Sequence, residues 1–283
     1  MMLRGLCSAG LGALEGQAQL IQLAGRYGFQ SVDLDALALI DQYGAEAAAN
    51  LLADHKVSIG SIPLSVEWRQ DEEQFLNDFK KLGEAAAAAK LLGCTRCCTY
   101  ILPSTDKNTA SFMIEATRRL RLCAQVLGAY GISLGLEFVG PHHLRTRWKH
   151  PFIWTLEDTL NWIAAIGEPN VGLLFDSYHW YTNQLTDSDI LALRAEQIVH
   201  VHINDAKDVP IDEVLDNDRL YPGEGVIDLT GFLTSLNQIG YTGPVALEVL
   251  TPEQPTASPD ELAARAKLAF DKVFGAAGIK TML

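Results

Sequence analysis

The stretch at 171–179, VGLLFDSYH, constrains the fold more than any other part of the chain. Val171, Leu173, Leu174 and Phe175 surround Gly172 and run directly into Asp176, Ser177, Tyr178 and His179. This is the pattern of a strand buried on both faces that ends in a polar cluster, as a barrel strand does where it meets an active site. Three other stretches end the same way. Residues 132–140 (ISLGLEFVG) carry Glu137, residues 198–206 (IVHVHINDA) carry His202, and residues 243–251 (GPVALEVLT) carry Glu248.

The rest of the sequence supplies the helices such strands need. Strand and helix patterns alternate eight times: strands at 3–9, 31–37, 57–64, 96–103, 132–140, 171–176, 198–206 and 243–251, with helices at 16–27, 45–55, 71–92, 109–130, 156–166, 188–194, 229–239 and 259–274. Gly28, Gly93 and Gly131 stand where left-handed caps would stop three of the helices. Strict alternation with eight apolar strands predicts an α/β fold of the (β/α)8 TIM-barrel type, with residues 1–283 as one domain. Two long polar segments interrupt it. Residues 141–154 (PHHLRTRWKHPFIW) mix cations with aromatics and read as a loop at the functional end of the barrel, and residues 207–228 carry several aspartates, Arg219 and the turn PGEG.

Charge narrows the function classes. The net charge of −13, from 35 acidic and 22 basic residues, repels phosphate backbones and anionic lipid, so nucleic acid and membrane are not expected partners. No uncharged apolar run reaches the roughly 18–20 residues of a membrane span, and the N-terminal residues lack the apolar core of a leader. The expectation is a cytoplasmic protein acting on a small polar molecule, with room for self-association into a homo-oligomer. The five cysteines, an odd number, suit a reducing compartment. Cys94 and Cys97 have redox or zinc spacing but lead into an apolar run with no histidine nearby, and read as buried thiols.

At the C-terminal ends of barrel strands, residues distant in sequence converge. Glu137, Asp176, His202 and Glu248 come from four consecutive strands, and three carboxylates in one pocket repel unless protonated or neutralised. One divalent cation resolves that conflict, and an Asp/Glu/His donor set suits Mn²⁺, Mg²⁺, Co²⁺ or Zn²⁺ better than a soft ion. His200 shares the strand face of His202 but sits deeper in the apolar run, and reads as a hydrogen-bonded core histidine.

The segments GLEFVG, VGLLFDSYH, VHINDA, DRLYPGEGVIDL and ALEVL, in that order, resemble the xylose isomerase-like barrel superfamily of sugar isomerases and epimerases, in particular its inosose isomerase (2-keto-myo-inositol isomerase) type. The resemblance implies one divalent metal on Glu137, Asp176, His202 and Glu248, with Glu137 and Glu248 flanking the substrate and moving its proton. It also implies that His179 and Arg219 bind substrate oxygens. The 141–154 segment, with Arg145, Arg147, Lys149 and His150, departs from the family pattern. Trp68, Trp180 and Tyr181, at strand ends, could wall a sugar ring, with core packing as the competing role for each.

The chemistry implied is proton transfer beside a ketone of a keto-sugar or inosose. Such a carbon acid is too weak for a carboxylate unaided, so the enediolate needs electrostatic stabilisation, which a chelated metal supplies. A lyase or dehydratase would use the same site and expel a β-hydroxyl. An abasic-site endonuclease shares this barrel but needs several zinc ions, more histidines and a basic groove, against the charge of −13. A non-catalytic sugar-binding protein would have no use for two carboxylates around a metal.

Overall fold

Each apolar run becomes a stave of a closed parallel barrel in the computed structural model, which describes residues 1–279. The first half of the chain gives Leu3–Leu6 (β1), Gln17–Tyr27 (α1), Ser31–Val32 (β2), Ala36–Tyr43 (α2), Ala45–Asp54 (α3), Ser58–Ile59 (β3), Ile62–Pro63 (β4), Glu72–Phe79 (α4), Leu82–Leu91 (α5), Arg96–Ile101 (β5), Ser104–Thr105 (β6) and Thr109–Ala129 (α6). The second half gives Ser133–Phe138 (β7), His142–Arg145 (α7), His150–Pro151 (β8), Leu156–Ile166 (α8), Val171–Asp176 (β9), Ser177–Thr182 (α9), Asp187–Leu191 (α10), Ile198–Ile203 (β10), Leu229–Gln238 (α11), Pro244–Leu247 (β11) and Pro259–Ala276 (α12).

Nine strands pair in the order β3-β2-β1-β11-β10-β9-β7-β5-β4, all in parallel. The two ends of that order, β3 and β4, are pieces of one stave: β3 pairs with β2, β4 pairs with β5, and Gly60 and Ser61 lie between them. Nine strands with one stave split make the eight-stave barrel that the alternation predicts. The core is largely apolar, with Phe138, Phe175, Phe232 and Trp68 buried inside or against the sheet. Cys94, Cys97 and Cys123 are buried as well, and burial pushes Cys94 up to about 11 and Cys123 up to about 12.

Three element boundaries differ from the sequence expectation. The second strand stops at Val32, because Asp35 turns the chain: its carboxylate accepts the N–H groups of Leu37 and Ala38 at 3.0 and 3.1 Å and caps a helix, α2, where an extended strand end was expected. The helix expected over 71–92 breaks at Lys80 and Lys81. Its first half is tied to α6 through the ion pairs of Glu72 with Arg118 and Arg119, while its second half packs between α2 and α6. The 141–154 segment is partly ordered into α7 and β8, the latter paired antiparallel with β6.

Among the described residues, no helix is long and apolar enough to cross a membrane. The barrel places its polar residues at one level. His202 lies opposite Asp176 in the β10/β9 register, Glu137 is the penultimate residue of β7, and Glu248 directly follows β11.

Candidate metal centre

The side chains of Glu137, Asp176, His202 and Glu248 each direct one donor atom to a common point, all within 4.8 Å of one another. His202 Nδ1 stands 3.6 Å from Glu137 Oε1 and 3.4 Å from Glu248 Oε2. Glu137 Oε1 and His202 Nδ1 are both buried and have no hydrogen-bond partner among the described residues. A carboxylate oxygen and an imidazole lone pair are both acceptors, so their convergence is unfavourable until a cation or a proton lies between them.

Without a metal, that proton resides on His202. Burial works against charging the ring, but Glu248, Asp33 and Glu137 outweigh it and hold the imidazolium well above the usual histidine range. The two glutamates are pushed in opposite directions. Burial raises Glu137 above the usual carboxylate range, whereas for Glu248 the neighbouring His202 and Arg219 overcome burial and hold the carboxyl well below it.

Arg219 organises one side of the cluster. It is only 4% exposed. Its Nη1 donates to Asp176 Oδ2 at 2.8 Å and to Glu248 Oε2 at 2.9 Å, while Nη2 and Nε donate to the side chain and the carbonyl of Asp216, both at 2.8 Å. Its guanidinium also lies over the Tyr178 ring, 4.7 Å from the centroid. Asp176 is completely buried, accepts from the Tyr178 N–H at 2.7 Å, and takes two further contacts from the Asn204 amide at 2.9 and 3.2 Å. The segment that carries Arg219 is held by Asp205, whose carboxylate accepts the backbone N–H groups of Ala206, Gly223, Gly225 and Ile227, each at 2.9 Å. Gly225 is required there, since a Cβ would fall 2.0 Å from the Ala206 carbonyl oxygen.

A model of the xylose isomerase-like TIM barrel matches residues 21–271. The chain belongs to that family. A xylose isomerase domain protein from Alicyclobacillus acidocaldarius is 32% identical and superposes with a TM-score of 0.91 over 98% of this chain and 100% of its own. The IolI protein with a bound zinc atom shares the fold at 21% identity, with a TM-score of 0.81 over 99% of this chain and 100% of that one. The inosose isomerase of Bacillus velezensis is 36% identical over 126 residues, which are 44% of this chain and 42% of that protein, so the match spans less than half of its length.

Within this xylose isomerase-like barrel, a cavity of about 530 Å³ opens beside the cluster. Glu137, His202 and Glu248 line one wall, and Leu14, Leu20 and Ile62 from the first half of the barrel line the other. Trp68 and Trp180 are corrections to the sequence expectation: neither lines the cavity among the described residues. Trp68 is wholly buried against Phe112 and Trp162 with its Nε1 donating to Thr99 Oγ1, and Trp180 packs on Phe232. Tyr100, which the sequence does not single out, is the tyrosine that lines the cavity among the described residues.

His179 is buried beside the cluster, not in the open cavity. Its Nδ1 accepts the Gly140 N–H at 3.2 Å, which leaves Nε2 as the protonated nitrogen, 4.0 Å from Glu137 Oε1. Among the described residues none of 141–154 lines the cavity, and Arg145 instead stacks on Trp154 and donates to the Gly140 and Thr182 carbonyls. His200 is fully buried, as expected, and its partner is a residue that the sequence did not single out. Asp33 Oδ2 lies 2.8 Å from His200 Nε2 and 3.3 Å from His202 Nε2. Burial would raise the Asp33 carboxyl, but the two histidines outweigh it and hold it well below the usual range.

Proposed function

We propose that this chain is a divalent-metal-dependent isomerase or epimerase of a keto-sugar or inosose, with Glu137, Asp176, His202 and Glu248 holding the ion and Glu137 and Glu248 moving the proton. The observation that carries the reading is the pair of buried, partnerless acceptors, Glu137 Oε1 and His202 Nδ1, that face each other beside Glu248. Such a set fits a hard or borderline cation such as Mn²⁺, Mg²⁺, Co²⁺ or Zn²⁺. The names carried by the relatives, inosose isomerase among them, agree with it.

A bound divalent ion supplies electrostatic stabilisation to the charge that builds on a substrate carbonyl oxygen. The rest is the work of the chain's own side chains. Glu248, held ionised by Arg219 and His202, is the group suited to take a proton from the carbon beside the carbonyl. Glu137, the second carboxyl that lines the cavity, is suited to return a proton that it takes up after the ion has bound, since holding the ion requires its carboxylate form. His179 turns its Nε2–H toward Glu137 at 4.0 Å, too far to hydrogen-bond that carboxylate directly. Leu14, Leu20 and Ile62 give the cavity an apolar wall for the carbon skeleton of a substrate to pack against.

Metal-loaded protein incubated in D₂O with a panel of inososes, ketohexoses and keto-glycosides should place deuterium on the carbon next to the carbonyl, as followed by NMR. Loss of water from the substrate would replace the isomerase by a dehydratase on the same residues. No exchange with any member of the panel, at full metal occupancy, would remove the proton-transfer reading.

Metal affinity should also depend on pH in one direction. His202 and Glu137 both hold protons more tightly than usual, and each proton must leave before its atom can bind the ion. Affinity is therefore expected to rise with pH, by about tenfold per pH unit for each proton displaced. Titration calorimetry in buffers of different ionisation enthalpy reads the proton release directly, and binding that is independent of pH between 5.5 and 8 would contradict it.

A further inference from the structure

We propose that Asp33 and His200 form a positioning relay that fixes the ring of His202, and that the glycine at position 60 in the third stave makes room for it. The inference rests on the reading of His202 as a metal ligand, but it concerns residues outside the ligand set.

Asp33 directly follows β2, on the opposite side of the barrel interior from β7 and β9, and its Oδ2 receives both rings, His200 Nε2 at 2.8 Å and His202 Nε2 at 3.3 Å. An ionised carboxylate oxygen only accepts, so both histidines present Nε2–H to it. For His202 this decides which nitrogen is left for the cluster. With Nε2 occupied by a proton, a metal-bearing His202 offers Nδ1, the atom that faces Glu137 and Glu248. His200 adds a steric restraint, since its ring stands edge-on to that of His202 at 84°, with centroids 5.2 Å apart. The carboxylate is thereby held between two rings on one strand, and neither ring can turn without giving up its hydrogen bond.

The glycine at position 60 follows from the same geometry. A Cβ on Gly60 would lie 2.6 Å from Asp33 Oδ1 and 3.4 Å from His200 Cε1. Gly60 has no left-handed backbone conformation to account for it, so the glycine serves space and not torsion. The chain stays tied to the second stave at this point, by Gly60 N–H to Val32 O at 2.7 Å and Leu34 N–H to Ser61 O at 3.2 Å, so the backbone pairing is kept and the missing Cβ alone leaves room for the carboxylate.

The test uses Zn²⁺ as the probe, with wild type, Asp33→Asn and Gly60→Ala. Zn²⁺ affinity, measured by chelator competition, is expected to fall about 10–100-fold in Asp33→Asn, and in the same direction in Gly60→Ala, which removes no ionisable group and acts only by crowding the Asp33 carboxylate. Long-range ¹⁵N NMR of the imidazoles is the readout that a merely structural role would not move. In Zn²⁺-loaded wild type both His200 and His202 should be protonated at Nε2, and His202 should lose that preference in Asp33→Asn. Wild-type affinity and an unchanged His202 tautomer in folded Asp33→Asn would overturn the relay, as would a wild-type spectrum with either Nε2 unprotonated. Should wild type take up no divalent ion, the metal-centre reading fails by itself. The relay is then still decided by whether the hydrogen-bonded Nε2–H signals of metal-free wild type disappear in Asp33→Asn.

Discussion

Glu248→Gln is expected to lower turnover by about 10²–10⁴-fold, the range that a positioned acid or base contributes, while the protein folds and keeps its ion. The amide is nearly isosteric and retains one oxygen to accept from Arg219 Nη1, which lies 2.9 Å from Glu248 Oε2 in the wild type. It cannot take up a proton at neutral pH. Glu137→Gln should have an effect of the same order for the complementary reason, because the group that returns the proton is gone. Its fold should be retained or improved, since burial disfavours the ionised form of Glu137. Each glutamate is also a proposed ligand, so turnover must be measured at known metal occupancy, or a lost ion will be read as a lost base. A metal-replete Glu248→Gln protein that turns over and exchanges deuterium at the wild-type rate would make Glu248 a ligand only.

Arg219→Ala is the second large effect, and it separates two roles for this arginine. If Arg219 chiefly bound substrate, its removal would raise KM and leave the metal-free protein as stable as before. The side chain, though, is 4% exposed and divides its donors among Asp176, Glu248 and Asp216. Removing one partner from a buried charge cluster costs about 3–5 kcal/mol, and roughly 2–4 °C of Tm accompanies each kcal/mol in a chain of this size. The metal-free variant should therefore melt well below the wild type. Saturating divalent ion should recover part of the loss, because it supplies positive charge to the same carboxylates. Arg219→Lys should fall between, keeping the charge but not the two-carboxylate reach of Nη1. An unchanged Tm for metal-free Arg219→Ala would return Arg219 to the substrate side of the site.

The convergence of the four strand ends is legible in the sequence because it depends on local pattern. A run such as VGLLFD can be buried on both faces only inside a parallel sheet, and an acidic residue at its end must then sit at the mouth of the barrel. Glu137, Asp176, His202 and Glu248 could be picked out together on that ground, and the structure brings them to one point. Trp68 and Trp180 could not be placed in the same way. A tryptophan at a strand end can turn toward the cavity or toward the surrounding helices, and here Phe112, Trp162 and Phe232 offered better packing than the cavity did.

Asp33 marks the boundary between the two kinds of information. Nothing in the sequence near it distinguishes it from Asp35, two residues on, which merely caps a helix. Its partner His200 is 167 residues away, and the pairing arises only when the closed barrel brings the end of β2 across from β10. The sequence by itself determined the barrel, the staves and the acidic and histidine residues at their mouths, because side-chain period and polarity act over a few residues. Tertiary structure alone decided which nitrogen of His202 faces the cluster, that Arg219 donates to carboxylates, and that position 60 of the third stave has no room for a Cβ. Those outcomes depend on contacts and excluded volume between segments that are distant along the chain, and no local pattern records them.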